Sequence, residues 1–368
     1  MPSSSKSRSA IRYAVVGQGY IAQAAVLPAF AHARRNSRLV AIVSGDAVKR
    51  KALARKYDAA AYSYEEYDAC LRSGDVDAVY IALPNSQHLE YTVRAARAGV
   101  HVLCEKPLAI DERQCRRMID VCRRHKVKLM TAYRLHFERA TLQALHAVEE
   151  GLIGAPRLFV SSFTMNVKAP NIRLEAGCGG GTLYDIGIYC INAARHVFRA
   201  EPVEAFAMTS GKKGDVEESA TCMLRFPGER LATFCVSFGS DDTSEYRVVG
   251  TKGALRVEPG YELASGLEHH ITREGKQTRT IAYAKRDQFA PELLHFSDCI
   301  LEDTEPEPSG EEGLADIRII RALYKSAASG RPVRLAPARL AAHLTLNNEV
   351  TRPPVRMPRL VHATPPSG

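Results

Sequence analysis

Several short stretches carry residue types whose spacing could do chemistry. GQGYIA sets Gly17, Gly19 and Ala22 in a Gly-x-Gly-x-x-Ala pattern, directly after the apolar run Ile11 to Val16 and at the start of a helical pattern. Each position has a physical reason. Gly17 permits a tight turn, Gly19 lets the backbone approach a pyrophosphate, and small Ala22 lets helix lie close on strand, with the helix N-terminus facing the anion. The order strand, turn, helix, strand turns a weak motif into a dinucleotide site. The next strand pattern ends in VSGDAVKRK, where an acidic side chain would bind a ribose hydroxyl and repel a 2′-phosphate. Ser44 holds the expected position, small and neutral, with Lys49 or Arg50 in reach of a phosphate, so NADP is expected ahead of NAD. Asp46 as ribose ligand would reverse that order.

Two further loops follow strand patterns, where open α/β sheets bind ligands: LPNSQH (Leu83 to His88) and CEKP (Cys104 to Pro107). In GGGTLYDIGIYCIN, Asp185 and Tyr189 stand four apart on a helical pattern, so both project from one face into one cleft. Cys115, Cys122 and His125 invite a metal reading, but their helical spacing among Met118 and Ile119 fits core packing better, and no metal site is expected. Tyr246 and His295 are equally readable as substrate-facing or core.

The elements that must position these residues change texture along the chain. Up to about Tyr133, β-rich runs at Ile11 to Val16, Leu39 to Val43, Val76 to Ala82, His101 to Cys104 and Lys128 to Ala132 alternate with helical patterns beginning near Tyr20, Ala47, Tyr64, His88 and Glu112. That alternation requires a parallel sheet with crossover helices. Ser63 with Glu66, and Asp111 with Gln114, have the spacing of capping boxes. Beyond a helix at Phe137 to Glu150, longer β-like runs from Phe159 to Ala284 read as a largely antiparallel sheet. Helical patterns at 185–198, 288–301 and 310–329 are expected to cover one face of it. The division is a flexible tail at 1–10, a dinucleotide-binding domain at 11–133, an α+β substrate and oligomerisation domain at 134–350, and a Pro-rich tail at 351–368 that is extended or disordered.

Composition narrows the function classes. The 368 residues are 45% hydrophobic and 25% charged, as in ordinary globular chains. No run approaches the ~18 apolar residues of a membrane helix, and the first residues lack the apolar core of a secretory leader, so a cytoplasmic location is expected. The formal charge of +9 is dispersed, and its densest cluster, Arg116, Arg117, Arg123 and Arg124, lies on the polar side of a helix. Neither a basic stripe with interleaved aromatics nor a known nucleic-acid module is present, so no nucleic acid or membrane partner is expected. The nine cysteines are odd in number and lack paired spacings, which reads as reduced, buried thiols.

Taken together, GQGYIA, DAVYIALPNSQH, HVLCEKPLA and GGGTLYDIGIYCIN resemble the Gfo/Idh/MocA oxidoreductases, most closely the glucose-fructose oxidoreductase branch, from Ile11 to about Leu335. The resemblance implies a Rossmann domain followed by a domain with a large, mostly antiparallel open-faced sheet. It also implies hydride transfer between NADP and a sugar carbon, such as aldose oxidation to a lactone, coupled or not to reduction of a second sugar. The alternatives are an aldose dehydrogenase or anhydrofructose reductase using free NAD(P), and a non-catalytic nucleotide sensor. Lys106 matches the family's EKP lysine, beneath the substrate, and Pro107 follows in a turn that is often cis. Tyr189 stands where many members have His; a phenol ordinarily ionises near pH ~10, so it needs a cation, and Lys106 is the expected one. Asp185 is expected to orient the sugar or the lysine. Gly17, Gly19, Tyr20, Ile21, Ser44, Lys49, Leu83, Pro84, Asn85, His88, Glu105, Lys106, Arg134 and Arg173 are expected to contact the cofactor, and Tyr133 to border the site. Ile172 replaces a frequent Trp. Relatives that retain NADP use a long N-terminal arm, where this chain has about ten residues, so retention stays open. A homodimer or homotetramer is expected.

Exchanging Ser44 for Asp is expected to move the ratio of kcat/KM for NADP over NAD toward NAD. An unchanged ratio removes Ser44 from the cofactor site.

Overall fold

Parallel strands cannot be joined by tight hairpins, and the first 130 residues supply a crossover after each strand. The computed structural model describes residues 10–340 and 343–366, so residues 1–9 of the expected N-terminal tail lie outside it. Strands β1 (Ile11–Val16), β2 (Ser37–Val43), β3 (Ala60–Tyr62), β4 (Ala78–Ile81), β5 (His101–Glu105) and β6 (Leu129–Ala132) pair in parallel, in the order β3-β2-β1-β4-β5-β6. The order reverses at β1, which opens a crevice at the C-terminal ends of β1 and β4. Helix α1 (20–29) contains a π turn over Ala22–Val26, and α2 (Ala47–Tyr57), α3 (Tyr67–Arg72), α4 (His88–Arg97) and α5 (Glu112–Arg124) follow. The edge strand β3 was not expected, because three residues are too few to show a period. Ser63 and Glu66 do bond reciprocally, at 2.7 and 3.3 Å, but they close the turn before α3 rather than opening a helix at Tyr64.

The second sheet takes strands β7 (Pro156–Asn166), β8 (Glu204–Ser210), β9 (Ser219–Phe226), β10 (Arg230–Ser237), β11 (Gly239–Gly250), β12 (Gly253–Val257), β13 (Leu267–Arg273), β14 (Lys276–Tyr283) and β15 (Val333–Arg334). Their order is β14-β13-β12-β11-β7-β10-β9-β8-β15, antiparallel except between β7 and β10. Alternation sets its faces. In β9, Ala220, Cys222, Leu224 and Phe226 are buried while Met223 and Arg225 are exposed. Helices α6 (Arg139–Glu149), α7 (Ile188–Phe198, entered through a π turn at Leu183–Gly187) and α9 (Gly310–Ser329) pack against this sheet. Leu158, Val160, Met208, Met223 and Leu231 remain exposed on its strands.

Helix α8 (Ala290–Leu301) departs from expectation. It covers β1 and β2 of the first sheet, with Leu293, Leu294 and Phe296 buried among Tyr13, Val26 and Phe30. Its Ser297 hydroxyl also meets the buried hydroxyls of Tyr13 and Ser37, each at 2.8 Å. An apolar stripe says that a helix must be covered, not which sheet covers it. The Pro-rich segment is a second departure: residues 351–366 form no helix or strand, yet Val361 packs on the same cluster as α8. Among the described residues no helix is long and apolar enough to cross a membrane.

Helix α7 is held by a buried ion cluster. Arg195, with no exposed side-chain surface, pairs with Glu201 at 2.6 Å and with Glu312 and Asp316 of α9 at 2.7 Å each. Asn192 donates to Glu312 and Asp316, His196 lies 3.0 Å from Glu312, and the Tyr133 hydroxyl donates to Asp316 at 2.5 Å. Burial pushes the Asp316 carboxyl up to about 6 against the pull of Arg195, and the neighbouring Glu312 adds to the rise. Tyr133, expected to border the site, therefore belongs to this cluster. His136, His196 and Glu312 also come within 4.8 Å of one another, but Glu312 is already bound by Arg195. Removing Arg195 strands several acids in the interior, so Arg195→Ala is expected to lower unfolding free energy in urea by about 3–5 kcal/mol.

Candidate active site

The first loop is built as its residue types require. Gly17 sits at φ +89°, and a Cβ there would lie 2.5 Å from the Ala82 carbonyl oxygen, so no side chain fits. A Cβ on exposed Gly19 would meet nothing within 4 Å: the chain leaves open space in front of the N-terminus of α1. The Gln18 amide ties the turn to the Val15 carbonyl at 2.8 Å. A backbone cradle at a helix N-terminus, with room above it, fits the pyrophosphate of a dinucleotide. At the end of β2, Ser44 is buried and its hydroxyl accepts from Asp46 N at 3.3 Å, while Arg50 closes on the Ser44 carbonyl at 2.6 Å. Asp46 caps α2 by accepting from Lys49 N at 2.9 Å and bonds His362 at 2.7 Å.

A cavity of about 440 Å³ opens beside this loop. Gly19, Tyr20, Ile21, Leu83, Asn85, Glu105, Lys106, Arg134, Arg173, Asp185 and Tyr189 line it, and Gly17, Ser44, Lys49, Pro84 and His88 do not. Gly17 lies in the glycine turn, Ser44 at the end of β2 and Lys49 in the first turn of α2. His88 lies apart from this wall. It is fully buried, with Nδ1 3.0 Å from the Pro107 carbonyl oxygen and Nε2 3.0 Å from that of Leu83, and burial lowers its pKa. It ties the LPNSQH loop to the EKP loop, with both ring nitrogens taken up by carbonyls. Asn85 instead donates to the Gly179 carbonyl at 2.8 Å, joining the first domain to the glycine run before Asp185.

At the centre of the cavity wall, the Lys106 ammonium donates to the Asp185 backbone carbonyl at 2.8 Å and lies 3.4 Å from its carboxylate. Lys106–Pro107 is a cis peptide. The other oxygen of Asp185 takes the Arg173 guanidinium at 2.7 Å. Burial opposes ionisation of Asp185, but Arg173 and then Lys106 outweigh it, and the carboxyl stays below the usual range. Tyr189 stands between cations: Lys106 Nζ is 4.7 Å from its ring centre, the Arg134 guanidinium is 5.0 Å away, and Arg134 Nε donates to its hydroxyl at 3.3 Å. Arg134 is held in turn by the Tyr261 carbonyl at 2.5 Å and by Gln288. Glu105 accepts from Tyr80 at 2.8 Å, and burial raises its pKa against the pull of Lys106. A hydroxyl entering here meets an ammonium and a phenol whose oxygen already receives a guanidinium hydrogen bond. This is an arrangement for moving a proton while charge develops on oxygen.

The comparisons with known proteins bear on this geometry. Residues 11–133 match the model of an oxidoreductase family with an NAD-binding Rossmann fold, and residues 141–256 that of the GFO/IDH/MocA C-terminal domain. This chain belongs to the Gfo/Idh/MocA oxidoreductases. A D-xylose 1-dehydrogenase [NADP(+)] of Haloarcula marismortui is 34% identical, over 88% of this chain and 93% of that protein. The crystal structure of an aldose-aldose oxidoreductase from Caulobacter crescentus, complexed with glycerol, is 36% identical with a TM-score of 0.83, over 89% of this chain and 100% of that one. A 3-ketoreductase from Actinomadura kijaniata, in complex with NADP and TDP-benzene, is 30% identical with a TM-score of 0.80, over 86% and 98%.

In this Gfo/Idh/MocA protein the structure also adds residues that no sequence signal marked. Tyr261 and Phe163 stack behind Tyr189, and Glu262, raised by burial, lines the cavity beside Arg134. Tyr246 is stacked in the core on Phe159, and His295 lies against Phe137 and Cys299 away from the cavity. Cys115 and Cys122 are buried in the core, whereas His125 is exposed, so they form no ligand set. Ile172 lines the cavity half-exposed.

Because Asp185 holds both Lys106 and Arg173, Asp185→Asn is expected to lower kcat by about 10²-fold through misplacement, with NADPH affinity unchanged in fluorescence titration. Unchanged kcat overturns this role.

Proposed function

We propose that this protein is an NADP-dependent sugar oxidoreductase that oxidises an aldose at a CH–OH carbon to the lactone and can return the reducing equivalents to a second sugar. The observation that carries the reading is the placement of the Tyr189 phenol between Lys106 and Arg134 on the wall of a cavity that begins at the nucleotide loop. The substrate class follows the activities of the relatives from Haloarcula marismortui and Caulobacter crescentus. NADP is supported by neutral Ser44 at the end of β2, by Lys49 and Arg50 after it, and by an Asp46 carboxylate already engaged by the α2 N-terminus and His362.

When bound, the nicotinamide accepts or returns the hydride. The remaining work falls to side chains. Tyr189, as its phenolate, takes the proton of the sugar hydroxyl as the carbon is oxidised and, as the phenol, returns it in the reverse direction. Lys106 donates to the same oxygen and stabilises its alkoxide character. Asp185 fixes Lys106, and Arg173 neutralises Asp185, so the ammonium is aimed rather than free. Arg134 supports the phenol from behind, and Glu105, enclosed beside Tyr80, is placed toward the nucleotide. Residues 11–133 serve the nucleotide, and 134–350 the substrate and self-association.

The exposed Leu158, Val160, Met208, Met223 and Leu231 supply an apolar sheet face, which supports a homodimer or homotetramer, and the reading places the enzyme in the cytoplasm.

Tyr189→Phe is expected to reduce kcat/KM on an aldose panel by about 10²- to 10⁴-fold, while NADPH still binds. Near-normal turnover of that variant, followed by nicotinamide absorbance, overturns the proton-transfer role.

A further inference from the structure

The last segment of the chain has a composition suited to polyanions and a path that crosses the nucleotide groove. From Val350 to Gly368 there are Arg352, Arg356, Arg359 and His362, and neither Asp nor Glu. Pro353, Pro354, Pro358, Pro365 and Pro366 stiffen it, so that little conformational entropy is lost when it is laid down.

Its fastenings can be followed in order. Val350 N donates to the Phe137 carbonyl, and Arg352 reaches the His32 carbonyl at 3.2 Å beyond the end of α1. Val361 then makes a two-way bond with the buried Gln23 side chain of α1, its N–H to Oε1 at 2.8 Å and its carbonyl from Nε2 at 2.9 Å. The same Nε2 donates to the Gln18 carbonyl inside the glycine turn at 2.9 Å. At His362 the backbone turns through φ +46°, and the imidazole lies 2.7 Å from Asp46. The segment ends on the other domain, where Pro366 accepts from Lys168 N at 3.2 Å, and Pro365 and Pro366 line the 440 Å³ cavity. One stretch of chain thus reaches, through Gln23, the turn that cradles a pyrophosphate, and touches Asp46 just beyond the end of β2 and the rim of the substrate cavity.

We infer that residues 351–366 are a strap belonging to the nucleotide site, closing the groove over bound NADP(H), and that His362 masks Asp46 so that a 2′-phosphate is accepted there. The inference rests on the dinucleotide reading above. Its charge logic is simple: an uncovered carboxylate beside the ribose repels a 2′-phosphate, whereas one paired with an imidazole and flanked by Lys49 does not. A strap anchored on both domains must lift before the nucleotide can leave, so it acts chiefly on the dissociation rate. A nucleotide that stays bound between half-reactions is what transfer between two sugars requires.

The test compares the full chain with one ending at Val350, using NADPH fluorescence and displacement by excess NADP. The full chain is expected to release NADPH at least about tenfold more slowly, the equivalent of one good contact. Equal release rates in a shortened chain with native circular dichroism overturn the strap. Failure of the full chain to bind NADPH overturns the dinucleotide reading instead. If the shortened chain does not fold, tryptic cleavage after Arg356 and Arg359 in the intact protein decides: slowing by NADPH supports the strap, and an unaltered rate overturns it. In His362→Ala the affinity for NADPH is expected to fall several-fold more than that for NADH, and an equal change for both overturns the masking of Asp46.

Discussion

The contact on which the site depends is the one between the Lys106 ammonium and the Asp185 backbone carbonyl, 2.8 Å apart. Lys106 follows a strand of the first sheet, and Asp185 enters the helix that lies on the second. Neither sheet alone makes a place for a sugar. An ammonium is strongly hydrated and must be held if it is to act at one atom, and here a carbonyl and a carboxylate hold it from the opposite domain. Arg173 then prevents that carboxylate from cancelling the lysine, since each oxygen of Asp185 has its own cation.

A second layer of constraints keeps this contact in place. Helix α7 is fixed from behind by Arg195 and the acids of α9, so the face bearing Tyr189 is turned by an ion cluster whose residues do not line the cavity. The two loops of the first domain are locked together by His88, whose ring nitrogens both reach carbonyls in the interior. Both helices that begin at the cleft contain a π turn, at Ala22–Val26 and Leu183–Gly187, and such turns shift the side chains that follow relative to a regular helix.

Much of this was legible in the sequence, for reasons that can be named. GQGYIA was readable because turn, backbone approach and close packing each demand a residue type at a fixed place. Lys106, Asp185 and Tyr189 were readable by resemblance, and the four-residue spacing of the last two put them on one side of a helix. The choice of sheet for α8 was not readable, because Leu293, Leu294 and Phe296 would satisfy either apolar face. His88 was expected at the cofactor because the LPNSQH loop resembles the family's; what the sequence does not show is that its ring is buried with both nitrogens on carbonyls. Arg134 was marked, but its work behind Tyr189 depends on Tyr261 and Gln288, more than 120 residues away along the chain. Long-range pairing of that kind leaves no local period.

The position of α8 also bears on how the molecule comes into being. The first sheet is complete in its strands by Ala132, yet residues around Leu293 help to cover the surface formed by Tyr13, Val26 and Phe30. During synthesis, at ~5–20 residues per second, that apolar surface waits ~8–30 seconds for its cover. The nucleotide-binding half therefore keeps an apolar surface uncovered until the residues of α8 have been made.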